Sequence, residues 1–597
     1  MMQPPTSPAM SGKPAATTGG ALAWITLHAE RVMLAAILVA VVAKFWLILR
    51  INLNWDEFYF LELTHQYASG TLTGRFQTFH VHLFSWLPAL GWDVPDQIVA
   101  GRLVMAVLAT ASAYLTYAIA GRFVTRRGAL FALLAYLSVS AVIEHGSSFR
   151  VDPIVTFLCL LALFAILCRP GGARGAVLAG AAMALAALVT VKSAFYLVII
   201  AGVFWCLGDN LRDRARLALP FAASFALGAI ALFVFHDATL APQEAGGAAE
   251  FLHGSASKVF FESVFPRAFD LIWMLIPNPL FWLLLVQGVA VTWSAARKPG
   301  NRSGWEAYLP LVLALPVLTP ILYRNAFPYF YPFILAPAAI LVGLAFDKQR
   351  QGAHKPNAVP PAKLGVALVL VQCAILAFGT LSKVNEDARV QRETIAAVRS
   401  VFPQPVPYIE GFGVLADYPR NGFFMSSWGV ENYRRVGQPV FAALVARNQP
   451  PFVLADSPSL YGALVPGVVV DQDRSFLPED TRFLQDNYIR HWGMLFVAGK
   501  HLGSPATNFD IAVAGAYRLE AAVPLVIDGN RLAPGGTIAL SAGAHSVDFG
   551  GTAGDATLRW GQASSVPALP PTDPLAFFNR KSWAGMTPSM MRPDAAR

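Results

Sequence analysis

Eleven runs of mostly apolar residues fall within the first 382 positions, near 32–49, 98–119, 128–144, 153–168, 175–190, 194–208, 217–236, 270–294, 307–323, 329–346 and 364–382. A helix needs about 20 apolar residues to cross a bilayer. In hydrocarbon every backbone N–H and C=O must be satisfied within the protein, so runs of this length cross as helices. Residues 31–382 are therefore expected to form a polytopic α-helical membrane domain. About eleven transmembrane helices are counted, up to thirteen if the 175–208 region divides differently. Only 14% of the 597 residues are charged, against about 25% in a soluble domain.

Loop charges orient the spans. Arg122, Arg126 and Arg127; Arg169 and Arg174; Arg212, Arg214 and Arg216; Arg297, Lys298 and Arg302; and Lys348, Arg350, Lys355 and Lys363 occupy alternate loops. The opposite loops hold only scattered cations, including Arg50, Arg75, Lys258 and Arg267. By the positive-inside rule the first set is cytoplasmic, and so is the N-terminus. An odd number of spans then puts residues after about 383 outside, which in a bacterium with an inner (plasma) membrane is the periplasm. The net charge of +9 is spread over these loops, so no nucleic-acid partner is expected. The four cysteines, Cys159, Cys168, Cys206 and Cys373, all sit in or beside apolar runs, leaving no disulfide framework for the C-terminal part.

Outside the spans, residues 1–30 read as a disordered cytoplasmic tail, since the first twenty are rich in Pro, Ser, Gly and Ala. The segment 52–97 is too long for a turn, and its aromatics suit helices lying in the outer interface. Beyond the last span, 383–505 alternates strand-like and helical patterns and suggests a periplasmic α/β domain. Residues 506–565 read as a small β-sandwich, with a hairpin turn at Asp528-Gly529-Asn530. Residues 566–597 show no period and read as a loose tail. No internal repeat is evident.

Several polar residues gather at the outer ends of spans. Asp56-Glu57 follows the first span; Asp56 is either the cap of an interfacial helix or a general base or metal ligand facing a cleft. In Arg150-Val151-Asp152-Pro153, Asp152 suits an N-cap, with Pro153 at the first helical position. Arg150 beside it also offers a cation for phosphate. Lys192 interrupts an apolar stretch at the outer end of a hairpin, where it either snorkels or reaches a phosphate. Lys44, inside the first span, reads as snorkelling outward. Arg324 is a candidate phosphate clamp, with Tyr329 and Tyr331 as cleft walls ahead of a span broken by Pro337. His80 and His82 leave room for a divalent metal, with His236 and His253 as spatial partners.

In order and sidedness these features resemble the GT-C glycosyltransferases, in particular the protein mannosyltransferase and ArnT-like aminoarabinose transferase group. Asp56-Glu57 with Tyr59 is similar to that family's first acidic loop, Arg150-Val151-Asp152 to its second, and Thr190-Val191-Lys192 to a Thr-Lys element. Arg324 to Pro332 is similar to the Arg…Tyr-x-x-Pro approach to a late span. The resemblance covers about 30–345. Where aminoarabinose transferases carry a Glu-Lys-Pro-Pro-like stretch, this chain has Phe79-His80-Val81-His82, so the likeness does not extend to a lipid A substrate or a zinc site.

The resemblance implies an enzyme that moves a hexose or pentose from a polyprenyl-phosphate-linked donor to a glycan, lipid or protein acceptor at the periplasmic face. It further implies Asp56 as base, Glu57 and Asp152 as orienting carboxylates, and Arg150, Lys192 and Arg324 as phosphate-binding cations. Tyr59, His80, His82, Tyr329 and Tyr331 would line the cleft. The alternatives are a lipid-linked sugar transporter or flippase, and a noncatalytic polysaccharide-binding scaffold.

Overall fold

The structure is a computed structural model that describes residues 18–242, 264–297, 304–351, 360–468, 470–504, 507–551, 554–561 and 577. His253, Lys258, Lys298, Arg302 and Lys355, discussed above, lie outside the described residues. The membrane part comprises α1 (Thr18–Leu47), α2 (Trp55–Ala68), α3 (Val81–Phe84), α4 (Val94–Ala120), α5 (Arg126–Leu137), α6 (Ser140–His145), α7 (Val151–Leu167), α8 (Gly172–Val189), α9 (Ala194–Leu207), α10 (Leu211–Ala238), α11 (Ala268–Leu275), α12 (Pro279–Ala296), α13 (Leu309–Leu313), α14 (Tyr331–Gln351) and α15 (Pro361–Leu381).

Among the described residues six helices are long and apolar enough to cross a membrane, or seven if the bent Gly304–Leu313 and Leu315–Ile321 pair is one span. The chain is a multi-pass membrane protein. Length and apolarity alone do not reach the expected eleven spans: α1 is not among the six, and α5, α7 and α9 run only 12, 17 and 14 residues. α1 begins at Thr18, so part of the tail expected to be disordered is helical. Its Glu30 is held by Arg127 at 2.8 Å; residues 1–17 lie outside the described residues.

α14 forms the axis of the bundle. Its spanning window is 89% buried, whereas that of α10 is only 6% buried and exposes Leu219, Leu227, Ile230 and Val234. So apolar an exposed face belongs against lipid. α12 and α5 press directly on the α14 backbone. A Cβ on Gly288 would lie 2.1 Å from the Leu341 carbonyl oxygen, and one on Gly343 would lie 2.8 Å from that of Gly128. Small residues permit such crossings in the absence of a hydrophobic drive between helices. The expected break at Pro337 does not occur: α14 continues through it. Proline has no N–H to give the Phe333 carbonyl one turn earlier. The buried Tyr196 hydroxyl donates to that oxygen instead, at 2.8 Å.

Beyond the spans come α16 (Arg389–Val401), α17 (Ser427–Val436), α18 (Phe441–Asn448), α19 (Pro458–Leu464) and α20 (Pro478–Asn487). The strands are β1 (Tyr408–Ile409), β2 (Arg420–Asn421), β3 (Phe452–Leu454), β4 (Tyr488–Trp492), β5 (Leu495–Gly503), β6 (Asn508–Ile511), β7 (Gly515–Ala521), β8 (Leu525–Ile527), β9 (Asn530–Leu532), β10 (Thr537–Leu540), β11 (Gly543–Asp548) and β12 (Asp555–Trp560). One sheet has the order β10-β7-β12-β5-β3-β1-β2 with β4 also on β5, and the other the order β6-β11-β8-β9. The larger sheet crosses position 505, since β5 pairs with β3 through Leu495–Val497 and with β12 through Gly499–Gly503. Of the tail after 565, Phe577 alone is described; it is buried and stacks on Phe58 of α2 at 6.5 Å. Phe577 itself is packed, because an aromatic ring placed there removes apolar surface from water.

Candidate functional site

α2 starts with a capping box. The Asn54 side chain accepts the Asp56 N–H at 3.0 Å, and the Asn54 N–H donates to Glu57 Oε2 at 2.8 Å. Asn54 is thus the cap, and the Asp56 carboxylate is released to form an ion pair with Arg150. Glu57 turns the other way and is fully buried. It accepts from Arg102 Nε at 2.7 Å and from the Phe149 N–H at 2.6 Å. Arg102 also donates to the carbonyls of Ile48, Ile51 and Asn52, at 3.1, 2.7 and 2.8 Å. The acidic pair therefore divides into an anchored Glu57 and an Asp56 whose side chain stays 18% exposed.

Arg150, and not Asp152, occupies the N-cap position of α7, without a side-chain capping bond; Asp152 sits in the first turn. Its Oδ2 lies 3.2 Å from Arg150 Nε and its Oδ1 lies 2.6 Å from Lys192 Nζ. Lys192 is held in a 3₁₀ turn, Val191–Ser193, after Thr190, whose hydroxyl donates to Gln77 Oε1 at 3.3 Å. Arg150 lies 3.5 Å and Lys192 4.9 Å from the Tyr329 ring centre, both within cation–π reach. Lys192, Asp152, Arg150 and Asp56 thus form one continuous chain of two cations and two carboxylates. Behind Asp152 lies a cavity of about 20 Å³, lined in part by Lys44, Ser112, Tyr136, His145 and Thr156. That is room for about one water. Lys44 is 8% exposed and donates to the Val142 carbonyl at 2.6 Å, so it points into the protein and does not snorkel. A carbonyl partner inside the bundle relieves a burial that lipid would penalise.

The other sequence candidates are placed elsewhere. Arg324 pairs with Glu431 of α17 at 2.5 Å and covers Trp428 at 4.3 Å. Tyr331 is fully buried, and its hydroxyl has no hydrogen-bond partner among the described residues. Tyr59 packs against Phe424 with ring centres 4.2 Å apart and the rings tilted by 33°. His80 is buried edge-on to Phe60 at 4.9 Å, and burial pushes its pKa down to about 4. His82 Nε2 is 2.8 Å from His236 Nδ1, and His236 Nε2 is 3.0 Å from the Thr78 hydroxyl. Among the described residues no group of three His, Cys, Asp or Glu side chains is assembled that could hold a metal ion. His80 and His82 do not fit one between them, since one is enclosed by apolar packing and the other is committed to His236.

Three supporting residues escaped the sequence reading. Arg102 carried a signal, being an arginine inside an apolar run. Gln391 of α16 accepts the Leu53 N–H at 2.8 Å and donates to the Leu53 carbonyl at 2.7 Å, fixing the chain just before Asn54. Arg420 of β2 holds Glu62 of α2 at 2.8 Å. Neither Gln391 nor Arg420 stands out in a single sequence. Together with Trp55 on Phe412 at 5.1 Å, these contacts seat the C-terminal part directly on α2.

No family model and no curated protein matches the chain. Solved structures do. ArnT from Cupriavidus metallidurans in the apo state is similar with a TM-score of 0.50 at 18% identity, over 76% of this chain and 96% of that one. The archaeal oligosaccharyltransferase AglB from Archaeoglobus fulgidus, in complex with an inhibitory peptide and a dolichol-phosphate, is similar with a TM-score of 0.50 at 10% identity, over 86% of this chain and 76% of that one. The fold is that of the GT-C glycosyltransferases. At such identities the likeness is one of architecture, and function has to be argued from the site. On this GT-C fold the ionic chain from Lys192 to Asp56 lies where α2, α7 and the turn before α9 meet.

Proposed function

We propose that the protein is a membrane glycosyltransferase that moves a sugar from a polyprenyl-phosphate donor to an acceptor hydroxyl at the periplasmic face of the bacterial inner membrane. The observation that carries the reading is the chain Lys192–Asp152–Arg150–Asp56, with Asp56 as its most exposed member. Residues 31–382 would be the catalytic domain. Residues 383–505 and 506–565 would cover it from outside, and the acceptor would be a glycan, a lipid or a protein. The dolichol-phosphate in the AglB complex supports a lipid-phosphate donor for this architecture.

Asp56 takes the proton of the acceptor hydroxyl as its oxygen bonds to the anomeric carbon. The bond from that carbon to the phosphate oxygen breaks, and its electron pair leaves on the phosphate. Arg150 and Lys192 meet the growing negative charge, and Arg324 adds to them once parted from Glu431. Arg150 cannot give the same N–H groups to Asp56 and to a phosphate, so donor arrival loosens Asp56 and strengthens it as a base. Asp152 positions both cations, and Glu57 on Arg102 fixes the start of α2. Tyr59 and Tyr329 wall the cleft, while Tyr331, His80 and His82 support it from behind. No step is assigned to a metal.

The reading is tested by mass spectrometry of envelope glycans, lipids and proteins from cells with and without the gene. Loss of a single hexose or pentose from one glycan, lipid or protein is expected. An unchanged envelope in cells that normally produce the protein would contradict it.

A further inference from the structure

At the end of the bundle away from Asp152 a groove of about 450 Å³ opens between the start of α5, α12 and α14. Asp152 occupies the first turn of α7, and Arg122 Nη1 donates at 2.7 Å to the carbonyl of Leu167, the last residue of α7. A 17-residue helix separates the two sites by roughly 25 Å. The groove belongs to no part of the reaction described above.

Its lining has two characters. Phe123, Val291 and Leu344 give it an apolar floor, and Arg122 and Lys348 give it cations. The one carboxylate there, Asp347, is already spent: its oxygens accept the Thr125 N–H and the Thr125 hydroxyl, each at 2.7 Å. Arg122 also pairs with Glu306 at 3.0 Å, but side chains 37% and 52% exposed hold each other weakly. Lys348 is exposed and forms no ion pair among the described residues.

The depth of the groove follows from its neighbours. Trp205 and Trp305 meet at 6.3 Å, and Trp293 and Tyr308 at 6.1 Å. Arg214 covers Trp205 and Arg297 covers Trp293. Such a belt of Trp, Tyr and Arg at helix ends marks the level of lipid headgroups. Glu306, the partner of Arg122, lies between Trp305 and Tyr308 in the chain, so the groove opens at that level.

We infer that this groove binds the phosphate-bearing headgroup of an anionic phospholipid, with Arg122 and Lys348 meeting the phosphate and the apolar floor meeting the first acyl carbons. Basic pockets between spanning helices at a membrane face suit such headgroups. A free phosphate ion would leave the apolar floor unused.

The test is native mass spectrometry of the full chain in detergent micelles with added phosphatidylglycerol or phosphatidylcholine. Phosphatidylglycerol should be retained over phosphatidylcholine, and Arg122→Gln and Lys348→Gln should each weaken its binding about five-fold. Millimolar inorganic phosphate should not displace it. Equal retention of the two lipids, displacement by inorganic phosphate, or unchanged phosphatidylglycerol binding in Lys348→Gln would each overturn the proposal. Arg122→Gln gives up a bond to Leu167; if it fails to fold, Lys348→Gln decides alone.

Discussion

A buried carboxylate is tolerated only when its oxygens are filled or its charge is removed, and this protein uses both solutions. Glu57 is filled by Arg102 and two backbone N–H groups, with side chains only 0% and 3% exposed. Arg102→Met would leave that charge alone in the interior, a loss of about 3–5 kcal/mol. A clearly lowered unfolding midpoint in detergent is expected, and an unchanged midpoint would contradict the anchoring role. Asp456 follows the second route. It is buried against Glu410, whose oxygens accept the N–H groups of Phe412, Gly413 and Val414. Burial first, then the Glu410 charge, hold the Asp456 carboxyl well above the usual carboxylate range. The folded state therefore binds this proton more tightly than the unfolded chain does. The resulting stability is complete below the unfolded pKa of about 3.9 and is lost as pH rises through the raised folded value. Asp456→Asn, which cannot ionise, should then unfold at a higher temperature than wild type in alkaline buffer, with the gap closing in acid. A gap independent of pH would refute this assignment. The position of Asp56 just past an apolar run was legible in the sequence, which left its role open between helix cap and cleft-facing carboxylate; the structure gives the cap to Asn54. The separate fate of Glu57 was not, because it depends on an arginine 45 positions away.

Among the elements, α2 is the one whose placement matters most, and it is held at several points by the C-terminal part of the chain. Gln391 clamps Leu53 just ahead of the Asn54 cap, Arg420 grips Glu62 about two turns further along, and Phe577 stacks on Phe58. Gln391→Ala would leave two buried backbone groups unpaired, at about 1–3 kcal/mol each. Both a lower unfolding midpoint and a slower rate of sugar transfer are expected, because the cap that orients Asp56 loses its support. Full retention of both would show the clamp to be dispensable. Local signals carried the sequence reading at this scale. Apolar length located the long spans, and Asp528-Gly529 does turn the β8–β9 hairpin, with φ of 48° and 78° at the two central residues. Where tertiary partners decide, the reading stopped short. Pro337 looked like a break, yet a hydroxyl 137 positions from Phe333 repairs the ladder. Likewise the shared strand β5 joins segments that sequence pattern assigns to separate units.

For the whole molecule, the cover over the membrane part is built from side chains of the C-terminal part. Phe412 lies on Trp55, Phe424 on Tyr59, Arg420 on Glu62 and Glu431 on Arg324. An acceptor would approach Asp56 beneath this cover, and the donor phosphate would approach Arg150 and Lys192 from the lipid side. Such a division asks the ionic chain to do two things in turn: hold Asp56 in place at rest, then release it when a phosphate takes its place on Arg150. The most direct measurement is therefore sugar transfer by purified Asp56→Asn protein, using the lipid-linked donor identified from the envelope and monitoring folding in the same sample. Removing a general base costs about 10²–10⁴ in rate, so transfer by the folded variant should fall by at least about a hundredfold with donor binding retained. Transfer at the wild-type rate by folded Asp56→Asn would contradict the account.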